Sequence, residues 1–130
     1  MTEKEVQSIL LNKLNFSQDA IYKLDIFCKE LIKYNQNYNL IAKSTEENIW
    51  DRHVLDSAQL VKFINFHDGS SLSDLGTGAG FPGIVLAIFN RNTKFHVKLY
   101  EKSKVKNKFL SAISRVLRFR ESAYQLSKII

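Results

Sequence analysis

The stretch Asp74-Leu75-Gly76-Thr77-Gly78-Ala79-Gly80-Phe81-Pro82-Gly83 (DLGTGAGFPG, residues 74–83) holds four of the five glycines and the one proline of a 130-residue chain. Bare backbone at such density answers a local need. Gly76, Gly78 and Gly80 permit positive φ and remove the Cβ atoms that block close approach to main chain. "SLSDLG" (71–76), running into the stretch, reads as a short buried strand feeding a turn. "FPGIVLAIF" after it reads as a helix, with Pro82 in the first turn, where a missing N–H costs nothing. A strand, a glycine turn and a helix N-terminus together make a site where a ligand can touch the backbone. In an open α/β sheet that site lies beyond the C-terminal strand ends.

Downstream, "KFHVKLYE" alternates Phe95, Val97 and Leu99 against His96, Lys98 and Tyr100, a strand pattern. "KSKVKNKFLSAISRVL" predicts an amphipathic helix with Val105, Phe109, Leu110, Ile113 and Leu117 on one face. "SAYQLSKII" begins a further strand. Upstream the period is helical. Thr2 with Glu5 forms a capping box ahead of Val6, Ile9, Leu10 and Leu14. Ser17 caps a helix whose stripe is Ile21, Leu24, Phe27, Cys28, Leu31 and Tyr34. "NQNYN" (35–39) reads as loop. Ser44 with Glu47 predicts a third capped helix carrying Ile49, Trp50, Val54, Leu60, Val61 and Ile64, and Asp68-Gly69 a turn. The organisation is a helical extension over 1–68, then β-α-β-α and a further strand over 69–130. This is an α/β chain with a parallel sheet wrapped by helices.

Composition narrows the class. With 45% hydrophobic and 25% charged residues the chain is globular. It shows no membrane-length apolar run and no signal peptide, so a cytoplasmic location is expected, with no membrane partner. One cysteine, Cys28, excludes an intrachain disulfide and a Cys-rich metal site; no metal is expected. The net charge is +6, and residues 102–120 carry seven Lys or Arg and no acid. That segment suits either a solvated helix face or a polyanion partner.

Two ligands compete for the glycine turn. Gly78 to Gly83 matches GxGxxG, and Glu101 closes the next strand 18 residues after Gly83. A dinucleotide such as NAD would use that acid on its ribose. The alternative is S-adenosylmethionine, held by Asp74, Gly76, Gly78 and Gly80, again with Glu101 on the ribose. The cationic donor is favoured. Asp74 attracts an ammonium or sulfonium and repels a pyrophosphate. Pro82 withholds an N–H that a phosphate would want. Only this register starts its glycines at the strand end.

"YNQNYNLIAKSTEENIWDRHVLDSAQL" (34–60), with "SDLGTGAGFPGIVLAI" and "LYEKSKVKNKFL", resembles the ribosomal RNA small subunit methyltransferase G family, also called glucose-inhibited division protein B. Asn39-Leu40, Arg52-His53, Leu55-Asp56-Ser57 and Phe81-Pro82-Gly83 carry the resemblance over roughly residues 20–120. It implies a class I (Rossmann-like) methyltransferase fold with an N-terminal helical extension. It also implies S-adenosylmethionine-dependent methylation of one guanine N7 of 16S ribosomal RNA. Family cofactor contacts fall on Gly76, Phe81 and Glu101, and further ones on the stretch ending Ile129-Ile130. There Lys128 and Ile130 stand where the family has Arg and Glu. Tyr34 stands for Trp and Ile41 for Thr.

Guanine N7 offers a free lone pair and no proton to remove. Transfer to it requires alignment more than a general base, so no catalytic residue is assigned. Cys28 reads as core. Arg52 and His53 are candidates to shape the RNA site, against a simpler reading in which Arg52 pairs with Asp56 and His53 is a satisfied inward histidine. Lys102, Lys104, Lys106 and Lys108 are candidate phosphate contacts. The chain ends at or within a third strand, so one edge of the first strand is expected to be bare, offering self-association. Weak or absent turnover is expected of these residues alone. A non-catalytic nucleotide- or RNA-binding remnant and an NAD-binding module are the alternatives.

Overall fold

The computed structural model describes residues 1–119 and 124–127. Two helices open the chain, α1 (Glu3–Lys13) and α2 (Gln18–Asn35). The hydroxyl of Thr2 accepts from the Glu5 N–H and that of Ser17 from the Ala20 N–H, as the capping patterns predict. Each such cap is worth about 1 kcal/mol. Val6 and Leu10 of α1, with Leu24, Phe27 and Leu31 of α2, are wholly buried. Each such side chain contributes about 1.5–3 kcal/mol relative to exposure.

The third predicted helix is corrected by the structure. Residues 43–63 form a broken helical run: a tight 3-10 segment (Lys43–Asn48), wide π-type turns (Trp50–Leu55), a three-residue α-turn, α3 (Asp56–Ala58), and a second 3-10 segment (Gln59–Phe63). The Ser44–Glu47 capping box does not form; Ala42 holds the cap position without a side-chain bond. The polar groups of this turn are engaged elsewhere. The Thr45 hydroxyl donates to the Ala42 carbonyl, and the Glu46 carboxylate accepts from the Asn35 amide at 2.6 Å. Leu60 is 40% exposed rather than core.

The sheet follows. β1 (Ser71–Leu75) leads through the glycine turn into α4 (Gly83–Phe89), β2 (His96–Tyr100) into α5 (Lys104–Val116), and β3 (Tyr124–Ser127) comes last. All pairs are parallel, in the order β1-β2-β3, with Asp74 opposite Leu99 and Leu75 opposite Tyr100. Among the described residues β1 pairs on one side only. Side chains alternate along a strand. Val97 and Leu99 are therefore fully buried toward the helices, while His96, Lys98 and Tyr100 share the opposite, half-open face with Ser71, Ser73 and Leu75. One continuous apolar cluster runs from Val6 through Trp50 and Ile84 to Leu117, so the helical run and the sheet share a core. Val105, predicted for the buried face of α5, is 43% exposed; Phe109, Leu110, Ile113 and Leu117 are buried as expected.

Candidate functional site

The glycine turn sits between the C-terminal ends of β1 and β2, where an open α/β sheet places its ligands. The carbonyl of Tyr100, the last residue of β2, accepts from the N–H groups of both Gly76 and Thr77, at 2.8 and 3.1 Å. Gly76, Gly78 and Gly80 have φ of 70°, 63° and 109°, a region in which L side chains are strained. The glycines then divide by what surrounds them. A Cβ on Gly76 or Gly78 would meet nothing within 4 Å, so these two face open space. A Cβ on Gly80 would lie 2.5 Å from the Ile84 side chain, and one on Gly83 would run into Leu99. Gly80 and Gly83 thus let α4 seat against the sheet, a packing role that GxGxxG spacing alone does not separate from ligand approach.

Two carboxylates brace this turn. Asp74 Oδ2 accepts from the Gly83 N–H at 2.9 Å. Glu101, only 7% exposed, accepts from the Gly78 N–H through Oε1 at 2.8 Å and from the Ser103 N–H through Oε2 at 2.9 Å. Burial pushes the Glu101 carboxyl upward, but the Ser103 and Gly78 N–H groups and the nearby Lys106 ammonium outweigh it and hold the group below its ordinary value. Ser103 also caps α5 by accepting from Lys106 N–H, and the Asn107 amide donates to the Glu101 carbonyl at 2.5 Å. The acid is therefore fixed from several sides, with lone-pair capacity left on each oxygen.

Main-chain accounting tells the chemistry of the turn. The N–H groups of Gly76, Thr77, Gly78, Gly80, Phe81 and Gly83 are donated within the protein, and that of Ala79 has no acceptor among the described residues. Pro82 has none. Among the described residues the carbonyls of Gly76 and Gly78 accept no bond. The lip of the turn thus presents mainly acceptors and negative charge, with Ala79 N–H its one uncommitted donor among the described residues. The hydroxyl of Thr77 is buried beside it without a partner among the described residues, and sequence reasoning passed over this residue.

Phe81 leaves the turn as a wedge. Its ring lies 5.2 Å from that of Phe27 on α2 and 5.0 Å from the imidazole of His53, stacked at 24°. This brings the 50–55 segment against the turn. His53 Nε2 lies 2.9 Å from the Thr45 hydroxyl. That hydroxyl already donates to Ala42, so Nε2 carries the proton and Nδ1 is the acceptor. Burial, then the Arg52 charge, lowers the His53 pKa despite Asp56. Arg52 itself is exposed, and among the described residues it forms no ion pair with Asp56: the simple helix pairing expected from spacing is absent. Lys102, Lys104 and Lys108 are exposed; Lys106 is half-buried near Glu101. Cys28 is 2% exposed and burial pushes its thiol far up, which fits core rather than nucleophile. Ile129 and Ile130 lie outside the described residues.

A hollow of about 570 Å³ lies elsewhere, beside Phe16, Phe66 and Phe89 at the far end of α4. It gathers neither carboxylate. Among the described residues no cluster of His, Cys, Asp and Glu could hold a metal ion, and no helix is long and apolar enough to cross a membrane.

With this geometry in hand, comparison with known proteins is decisive. Residues 20–127 match the family model described as rRNA small subunit methyltransferase G. This chain belongs to that family. Its relatives include the ribosomal RNA small subunit methyltransferase G of Pelagibacter ubique (strain HTCC1062), 36% identical over 120 residues, covering 89% of this chain and 56% of the relative. Proteins of the same name from Rickettsia akari (strain Hartford) and Magnetococcus marinus are 47% identical over 75 residues and 41% over 92. These cover 58% and 71% of this chain, and 39% and 40% of the respective relatives. The chain thus spans about half the length, or less, of these curated relatives. Membership in the family fixes the α/β fold class, and a family of methyltransferases implies a methyl-donor cofactor.

Proposed function

We propose that this chain forms the donor-binding half of an S-adenosylmethionine-dependent methyltransferase acting on a guanine N7 of 16S ribosomal RNA, in the cytoplasm. The observation that carries the donor reading is that six of the turn's seven N–H groups, all but that of Ala79, are already committed within the protein. A pyrophosphate needs those donors and meets instead the Asp74 carboxylate and two bare carbonyls. A ligand bearing an ammonium and a sulfonium is suited by the same surface. The open space at Gly76 and Gly78 admits it to the main chain, and Glu101, held ionised, has acceptor capacity for ribose hydroxyls. Asp74, Gly76, Gly78, Phe81 and Glu101 are the residues proposed to hold the donor. Gly80 contributes by shaping the turn.

Bound there, S-adenosylmethionine would supply an electrophilic methyl group together with its own leaving group. The protein's part is to orient and to exclude water. Arg52 and the lysines at 102, 104, 106 and 108 are proposed to attract the RNA backbone, and His53, stacked on Phe81, to link that surface to the turn. The family name of the relatives supports RNA as the substrate. The edge of β1 that is unpaired among the described residues is proposed as a site of self-association.

Isothermal titration tests the donor reading directly. S-adenosylmethionine is expected to bind and NAD to give no heat; Asp74→Asn should weaken the donor, since one attractive charge is lost. Binding of NAD in preference to S-adenosylmethionine would overturn the assignment and restore the dinucleotide module.

A further inference from the structure

Away from the glycine turn, the end of α2 and the loop after it meet α5. Tyr34 and Tyr38 stack there, ring centroids 6.4 Å apart and planes 29° from parallel. Tyr34 is anchored edge-on against Phe109, at 5.3 Å, whereas Tyr38 remains 40% exposed. With Lys104, Val105 and Lys108 these rings line an apolar-floored hollow of about 180 Å³. Lys108 follows Lys104 by four residues and Val105 by three, so both neighbour it on the helix surface. Among the described residues neither lysine forms an ion pair, and residues 102–119 contain no acid. Core packing does not account for this arrangement. Val105 breaks the buried stripe of its helix to stand 43% exposed in the hollow, and a tyrosine pair is left uncovered beside it.

The chemistry of the hollow selects its ligand. Its volume is below the several hundred Å³ of a whole-cofactor pocket, and suits a single planar ring system. Aromatic faces with a flanking pair of cations match a base and its neighbouring phosphates. An acidic peptide would use the lysines and leave the rings idle. A duplex keeps its bases stacked within itself, so the base must be unpaired. We propose that Tyr38, backed by Tyr34, is a stacking platform for an unpaired nucleobase of the RNA substrate, with Lys104 and Lys108 on the adjoining phosphates. This rests on the RNA reading above and adds a base-binding site to it.

The test is fluorescence anisotropy of a labelled short unstructured RNA titrated with the full chain over a range of salt. Tyr38→Ala should weaken binding about tenfold without altering the salt slope, because stacking releases no counterions. Tyr38→Phe, which keeps the ring, should bind as the unmodified chain. Lys104→Gln with Lys108→Gln should reduce the slope of log affinity against log salt by about 1.4. The platform is overturned if Tyr38→Ala binds normally or Tyr38→Phe is as weak as Tyr38→Ala. It is likewise overturned if duplex RNA or polyglutamate displaces the probe as well as single strands do, or if the unmodified chain binds no RNA at low salt. Donor titration reads the glycine turn independently. Loss of the platform with donor binding intact would leave the methyl-donor reading standing.

Discussion

Glu101 joins two elements through one carboxylate. Oε1 holds the Gly78 N–H and Oε2 the Ser103 N–H, so the glycine turn and the start of α5 are fastened to the end of β2 at a single side chain. The folded state holds this carboxyl below its ordinary value. A lowered carboxyl pKa contributes stability that is complete above the unfolded value, about 4.3, and is lost as pH falls through the folded one. In urea titrations the stability gap between the unmodified chain and Glu101→Gln should be at full size at neutral pH and should close on acidification through that window. A gap of constant size down to strongly acid pH would show that charge on this carboxylate does not hold the turn. The neighbouring glycines were readable as a group from sequence, because only a special backbone concentrates them. Their division was not: that Gly76 and Gly78 face open space while Gly80 and Gly83 admit Ile84 and Leu99 depends on how α4 lies on the sheet.

At the scale of elements, capping chemistry predicts α1 and α2 because Thr2 and Ser17 have no competing partner. It fails at Ser44 because the 43–48 segment answers to a residue eleven positions away. Asn35, 1% exposed at the end of α2, accepts from the Leu40 and Ile41 N–H groups at 2.9 and 3.0 Å and donates to Glu46. Sequence patterning reads Asn35 as the start of a loop; it is in fact the clamp that folds the loop back. The only signal was an amide side chain at the end of an amphipathic stripe, which many surface loops share. Asn35→Ala leaves two buried N–H groups without an acceptor and should cost on the order of 3 kcal/mol in urea denaturation. Asn35→Asp keeps the acceptor but sets a second carboxylate against Glu46, and should fall between the two. A loss under about 1 kcal/mol for the alanine variant would mean that the 36–41 loop holds itself. Val105 is a second departure at this scale: helical period places it on the core face, yet it stands 43% exposed while Phe109, Leu110 and Ile113 are buried.

On the scale of the whole molecule, hydrophobic period carried most of the core, since Leu24, Phe27, Leu31, Val97, Leu99 and Ile113 are all buried where helix or strand alternation places them. The alternation could not show that one sheet face stays half-open, because that depends on which elements are present to cover it. Parallel sheets are ordinarily covered on both faces. Here β1 has Ser71, Ser73 and Leu75 exposed, Leu75 at 71%, and pairs only with β2 among the described residues. Natural edge strands are guarded by outward charge, proline or a bulge. β1 has none of these: its one charged side chain, Asp74, turns to the Gly83 N–H. The self-association proposed above would pair a second copy with that edge about a twofold axis, its own β1 running antiparallel, in a self-complementary contact. The net charge of +6 on each copy opposes the approach, so added salt should strengthen the dimer by screening. RNA binding has the opposite salt dependence. In sedimentation velocity the weight-average mass should therefore rise with protein concentration and with salt, and Ser73→Lys, which sets like charges across the axis, should return the chain to monomer. A chain that stays monomeric at high concentration and high salt would show that the β1 edge does not pair, and would remove self-association while leaving the glycine turn and the tyrosine platform untouched.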